Sequence, residues 1–338
     1  MDPLSQVSLG AAAAALASND QSIRRALVVG AIAGGLPDLD VLISSSKDPL
    51  ISLKFHRHFT HALLFAPVIG LLVAISAKYL FYSRRWALKE LFVFATLGAI
   101  SHGLLDACTS YGTMLYLPLN SHRESWDLIS IIDPIFTLPL VMLIGLAFIR
   151  KYANFAKAGL ILCASYLLFG FVQRERATSY AYELAELRGV DVESVTARPS
   201  FANTILWRLV VEDNRHYYVD AVWLMPFFNP TLYEGSQVER IDTKQLVEAA
   251  STQANDIQRF NHFSQGYLYL APNHQQVLGD LRYSLFPDSI EPLWGIRIDP
   301  EHPDEHVELV NFRKPSKEAF NRLWSMIQGK PVGRTEYN

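Results

Sequence analysis

Long apolar runs with few charges fill the first half of the chain, at about 24–44, 61–83, 89–108, 133–150 and 155–173. A helix that crosses the hydrocarbon core of a bilayer needs about 20 such residues, so these runs predict helices in a membrane. A shorter run at 4–17, with alanines at 11–15, predicts a further helix. Gly30 and Gly34 stand at small-xxx-small spacing in the first long run, where that short helix could approach closely. The run from Leu9 to Ala17 could pass for a secretory leader, but acidic Met1-Asp2-Pro3 precedes it instead of a basic segment.

From Arg174 the pattern changes. A helical period runs to Leu187, followed by strand-like runs at Ile205–Glu212 and Tyr217–Leu224, split by the turn dipeptide Asp213-Asn214. A polar helical stretch at Thr243–Phe260 precedes short β-branched and aromatic runs at 266–271, 276–285, 294–298 and 307–312. A last helix is expected at Ser316–Gln328. The expected fold is an all-α polytopic membrane domain of about five to six helices over residues 1–173. An extramembrane α+β domain with a mainly antiparallel sheet is expected over 174–338.

Composition supports the division. The chain is 338 residues long, 50% hydrophobic, and carries a formal net charge of -3, which argues against a nucleic-acid partner. Cys108 and Cys163 both lie in apolar runs and read as core residues. Lys78, Arg84, Arg85 and Lys89 fill one short loop, and Arg150, Lys151 and Lys157 another. The bias of basic residues toward the cytoplasm places those loops inside. The opposite loops, and the domain after 173, are then expected on the outer, periplasmic face of the inner membrane.

The candidate chemistry sits at those outer ends. Ionisable groups at membrane depth are costly unless they pair, face water or bind a cation. His102 and Asp106 are four residues apart on one helical face, and neutral imidazole with carboxylate suits zinc, manganese or iron. A buried His-Asp hydrogen bond is the plainer alternative. Asp38 and Asp40 follow Pro37, where they either cap a helix or turn toward a cation. His56, His58 and His61 form a histidine-rich cluster, with Arg57 beside them as an anion clamp or a lipid anchor. Asp133 before Pro134 reads slightly better as a helix cap.

These motifs, in order and spacing, resemble the YdjM-like membrane-bound metal-dependent hydrolase family over about the first 150 residues. The matching segments are Met-Asp-Pro-Leu-Ser-Gln at the start, Leu-Pro-Asp-Leu-Asp at 36–40 and His-Arg-x-x-Thr-His at 56–61. Ser-His-x-x-x-Asp at 101–106, Thr109, Tyr111-Gly112, Leu117-Pro118 and Ile132-Asp133-Pro134 complete the set. Gly279-Asp280-Leu281-Arg282 resembles a signature of the family's longer branch. The resemblance implies a metal site of Asp38, Asp40, His56, His61, His102 and Asp106. His58 falls where the family usually shows glycine, and Gln6 where many members show histidine.

The function expected from these residues is hydrolysis at the outer membrane–water boundary with a divalent cation, zinc first and manganese or iron next. Asp38, Arg57 and Asp106 carry the catalytic roles, and a lipid or lipid-linked phosphoester is the expected substrate. The alternative is a binding, transport or structural protein whose His/Asp cluster holds an ion without chemistry. No second copy of the motifs argues for a transporter's repeats, and His216, His262 and His274 are scattered in the later domain.

Overall fold

The computed structural model describes residues 1–80, 86–243, 246–247, 250–314 and 316–333. Arg84 and Arg85 of the first basic loop, and part of the expected 243–260 helix, lie outside them. Two units divide the chain. One comprises Met1–Ile43, Phe55–Phe171 and Phe201–Asn203, and the other Ser44–Lys54, Val172–Ser200 and Thr204–Asn338.

In the first unit, α1 (Pro3–Ala15) starts on Pro3, whose missing N–H costs nothing at that position, with the Asp2 carboxylate capping the Ser5 N–H at 3.0 Å. α2 (Ile23–Gly35) is shorter than the expected run, because Pro37 and the two aspartates continue as a 3₁₀ turn, Pro37–Leu42. Pro37 has no N–H to continue the α ladder. The second unit contributes all but the last residue of α3 (Ile51–Phe55) to the chain order. The first unit resumes with α4 (Ala66–Leu80), α5 (Leu88–Ala107) and α6 (Pro134–Arg150). Asp133 caps α6 by accepting from the N–H groups of Ile135 and Phe136 at 3.0 and 3.3 Å, and from the Tyr166 hydroxyl at 2.9 Å. α7 (Ala153–Arg188) then runs unbroken for 36 residues.

Among the described residues, three helical segments are long and apolar enough to cross a membrane: Leu63–Leu80, Leu88–Ala107 and Ala153–Arg188. Pro134–Arg150 is a shorter apolar helix. At about 1.5 Å per residue, the 13-residue α1 and α2 reach only about 20 Å each. Glycines let these short helices approach to backbone contact. A Cβ built on Gly30 would lie 2.4 Å from the Gly10 carbonyl oxygen, and one on Gly98 of α5 would lie 2.4 Å from that of Gly30. No other residue fits there, so α1, α2 and α5 are locked at the depth where Gly34, His102 and Asp106 lie.

In the second unit, the later part of α7 lays Ala177, Ala181 and Ala185 on a sheet core of Trp207, Leu209, Val211, Val222 and Leu224. That sheet has the order β1 (Ser194–Pro199), β2 (Leu206–Glu212), β3 (His216–Trp223), β4 (Thr231–Glu239), all antiparallel. After α8 (Thr252–Phe263), a second antiparallel sheet joins β5 (Leu268–Leu270), β6 (Val277–Asp280), β7 (Trp294–Arg297) and β8 (Glu308–Asn311). α9 (Lys317–Ile327) follows. The Asp280–Arg282 pair is a buried salt bridge at 2.7 Å, with Arg282 also donating to the Phe263 carbonyl at 2.9 Å. The two cysteines are buried and unpaired.

Candidate metal centre

Three segments of the first unit bring four ligand-type side chains together. The 3₁₀ turn after α2 supplies Asp38, a second turn at Phe59–His61 supplies His61, and the last turns of α5 supply His102 and Asp106. Gly103 of α5 admits the His61 backbone, whose carbonyl oxygen would lie 2.3 Å from a Cβ at that position. One ligand atom from each of the four residues lies within 4.8 Å of every other.

The four histidine–aspartate edges of this cluster are even. His61 Nε2 lies 3.2 Å from Asp106 Oδ2 and 3.4 Å from Asp38 Oδ1, and His102 Nε2 lies 3.4 and 3.5 Å from the same two oxygens. A tetrahedron of ligands about 2.0–2.1 Å from a zinc-sized ion has edges of about 3.3–3.4 Å. Despite this proximity, His61 Nε2, His102 Nε2 and Asp106 Oδ2 make no hydrogen bond. Buried polar atoms seldom remain without partners, and here three of them converge on one point.

The tautomers follow from the outer contacts. His102 Nδ1 lies 2.6 Å from the Gly34 carbonyl oxygen, which can only accept, so Nδ1 carries a proton and the neutral ring presents the Nε2 lone pair to the cluster. The Thr60 hydroxyl donates to Asp40 Oδ2 at 3.1 Å and so accepts from His61 Nδ1 at 2.9 Å. The neutral His61 ring presents its Nε2 lone pair in the same way. Neutral imidazoles oriented by oxygen acceptors on the far nitrogen are the form in which histidine binds metals.

Asp40 and His56 lie outside the four converging residues. The Asp40 carboxylate accepts from the Arg57 backbone N–H at 2.8 Å and the Thr60 hydroxyl, and pairs with His56 Nδ1 at 2.8 Å. Asp40 therefore shapes the loop that presents His61. His58 packs edge-on against Phe55 and Phe59.

Positive charge gathers on one side of Asp106. Its Oδ1 accepts from Gln6 Nε2 at 2.8 Å and from the Met1 amino group. Arg57 Nε lies 3.3 Å from Oδ2. Arg57 is buried, adopts a left-handed φ of 59°, donates to Thr109 Oγ1 at 3.0 Å and lies over the Tyr111 ring at 4.7 Å. Arg123 lies near the same ring at 5.6 Å and donates to the His56 carbonyl at 3.1 Å. Gln6 Oε1 is buried without a hydrogen bond.

Sequence reasoning missed a second cluster, in the other unit. Arg259 bridges Asp48 and Asp256 at 2.9 Å each, and His306 Nδ1 meets Asp256 at 2.8 Å. An arginine seated between the carboxylates already balances their charge. No short-range spacing joins residues 48, 256 and 306, so no motif could have flagged them.

The family model of the YdjM inner membrane protein matches residues 1–177, and the chain belongs to that family. It is 38% identical to the inner membrane protein YbcI of Escherichia coli (strain K12) over 91 residues, 26% of this chain and 49% of YbcI. It is 25% identical to the uncharacterized protein YfhP of Bacillus subtilis (strain 168) over 235 residues, 65% of this chain and 67% of YfhP. The aligned region thus spans about half of one relative and two thirds of the other. No solved structure matches the chain.

Proposed function

We propose that this YdjM-family membrane protein is a metal-dependent hydrolase acting at the membrane–water boundary on a lipid or lipid-linked phosphoester. The observation that carries the reading is the convergence of His61 Nε2, His102 Nε2 and Asp106 Oδ2, none of them hydrogen-bonded, with Asp38, all within 4.8 Å of one another. Those four residues would hold a divalent cation, with zinc the best fit to two imidazoles and two carboxylates. A cation so held supplies Lewis acidity and activates water near neutral pH.

The chain's own residues do the rest. Asp38 is the partly exposed member of the four, with its side chain 25% accessible, so it marks the side from which substrate and water enter. It is placed to take a proton from an incoming water, while Asp106 faces Arg57 and the Met1 amino group. Arg57 and Arg123, both against Tyr111, offer positive charge to an anionic group. The basic residues Lys78 and Lys89 stand at the end of α4 and the start of α5, far along α5 from His102 and Asp106. That distribution supports a site on the periplasmic face of the inner membrane.

A structural cation is the second reading, favoured by the origin of the four residues in three separate segments. The test is turnover of phospholipid and lipid-linked phosphoesters by metal-loaded protein in nanodiscs. Release of a headgroup alcohol, a phosphorylated headgroup or phosphate, matching the substrate supplied, that disappears in Asp38→Ala supports hydrolysis. A cation that raises the melting temperature while no phosphoester is cleaved supports the structural role.

A further inference from the structure

A turn of exposed aromatic residues sits where α7 leaves its apolar stretch. The twenty residues from Ala153 to Val172 of α7 carry a single charge, Lys157, and cover about 30 Å, the depth of a bilayer's hydrocarbon core. Gln173, Arg174, Glu175 and Arg176 follow, so the membrane surface lies at this turn of the helix. Gln173 Nε2 donates to the Leu224 carbonyl oxygen at 2.7 Å, and Arg176 Nη1 to the same oxygen at 3.4 Å. The turn between β3 and β4 therefore starts at the level where the apolar helix ends.

That turn is Met225-Pro226-Phe227-Phe228-Asn229-Pro230. Phe227 is fully exposed and Phe228 is 62% exposed, with Met225 exposed beside them. No charged residue occurs between Asp220 and Glu234. The base of the turn is fixed. The Trp223 indole donates to the Ile327 carbonyl at 2.8 Å, its ring meets Phe228 at 6.0 Å, and a Cβ on Gly329 would lie 2.9 Å from it. Ordered aromatic side chains on an uncharged turn are costly in water and suited to the lipid headgroup region.

We infer that Phe227 and Phe228 insert into the interfacial layer of the bilayer that α7 spans, giving the C-terminal unit a second membrane contact. The occupant is lipid because the turn is tied to the helix residues at the membrane surface, and uncharged aromatic side chains match that layer. The inference is independent of any reaction at the metal centre.

The test places a nitroxide at Phe227→Cys, Phe228→Cys and, as an aqueous reference, His302→Cys in the full chain, reconstituted in phosphatidylcholine–phosphatidylglycerol vesicles. Native Cys108 and Cys163 are buried, so labelling falls on the introduced thiols. At 227 and 228, collisions with oxygen are expected to exceed those with a water-soluble nickel chelate, and the ratio to stand several-fold above that at 302. A ratio equal to the reference at both positions overturns the inference. So does protection from both reagents, which would mean that a second copy or another part of the protein covers the turn.

Discussion

The Gly34 carbonyl oxygen and His102 Nδ1 lie 2.6 Å apart, and this contact sets both the tautomer and the aim of the imidazole. Gly34 is itself held by crowding, since a Cβ there would lie 2.8 Å from the Gln6 carbonyl oxygen and 2.9 Å from Gly10 Cα. Gly34→Ala is expected to push α2 from α1, costing about 1–3 kcal/mol by overpacking. It should also weaken metal binding although no ligand is changed. Thermal unfolding in detergent and a chelator competition check the two effects.

Asp40 acts through the loop it organises. Asp40→Ala removes the acceptor for the Arg57 N–H, the Thr60 hydroxyl and His56. Loss of such an orienting partner costs about 10–100-fold in metal affinity. Retention of wild-type affinity in a chelator titration would remove Asp40 from this role.

Arg57 answers differently. Arg57→Lys keeps a positive charge near Asp106 but loses the fork that reaches Thr109 and lies on Tyr111. Metal content is expected to stay near the wild-type level, while turnover of an anionic substrate falls by about 10-fold or more. Steady-state rates on metal-loaded protein decide it.

The Asp48–Arg259 pair gives the C-terminal unit a pH dependence. Burial raises the Asp48 carboxyl, but hydrogen bonds from Arg259 and from the Leu50 N–H outweigh it and hold its pKa below 3.8. A depressed folded pKa contributes stability above the unfolded value, lost as pH falls through the folded one. Asp48→Asn is therefore expected to melt below wild type at neutral pH, with the gap closing below about pH 4. Melting curves from pH 7 to pH 3 test the sign.

Much of the site was legible because its chemistry is local in sequence. His102 and Asp106 share a face of α5 by helical period alone, and Asp38 and His61 lie within short motifs. The division of labour between Asp38 and Asp40 was not legible, because the 3₁₀ turn after Pro37 points one toward the imidazole nitrogens of His61 and His102 and the other toward the loop. The same proline shortened α2 relative to its apolar run. At Arg174 the composition changes from apolar to charged, and the helical period expected from there to Leu187 is present as the continuation of α7 to Arg188, since the residues beyond Arg174 are good helix formers. β1 and β4 escaped notice because Arg198, Pro199 and Gly235 dilute their strand pattern, and their pairing with β2 and β3 supplies what propensity lacks. The contacts of Asp106 with Met1 and Gln6 span 105 and 100 residues and leave no local trace.

Metal content of detergent-purified protein, measured by plasma mass spectrometry on wild type, His61→Ala and His102→Ala, bears most directly on the centre. About one zinc-sized ion per wild-type chain is expected, absent from both variants while each remains folded and membrane-inserted. A wild-type protein that carries no metal and takes up none when zinc, manganese or iron is added would contradict the assignment and leave the cluster a metal-free polar network.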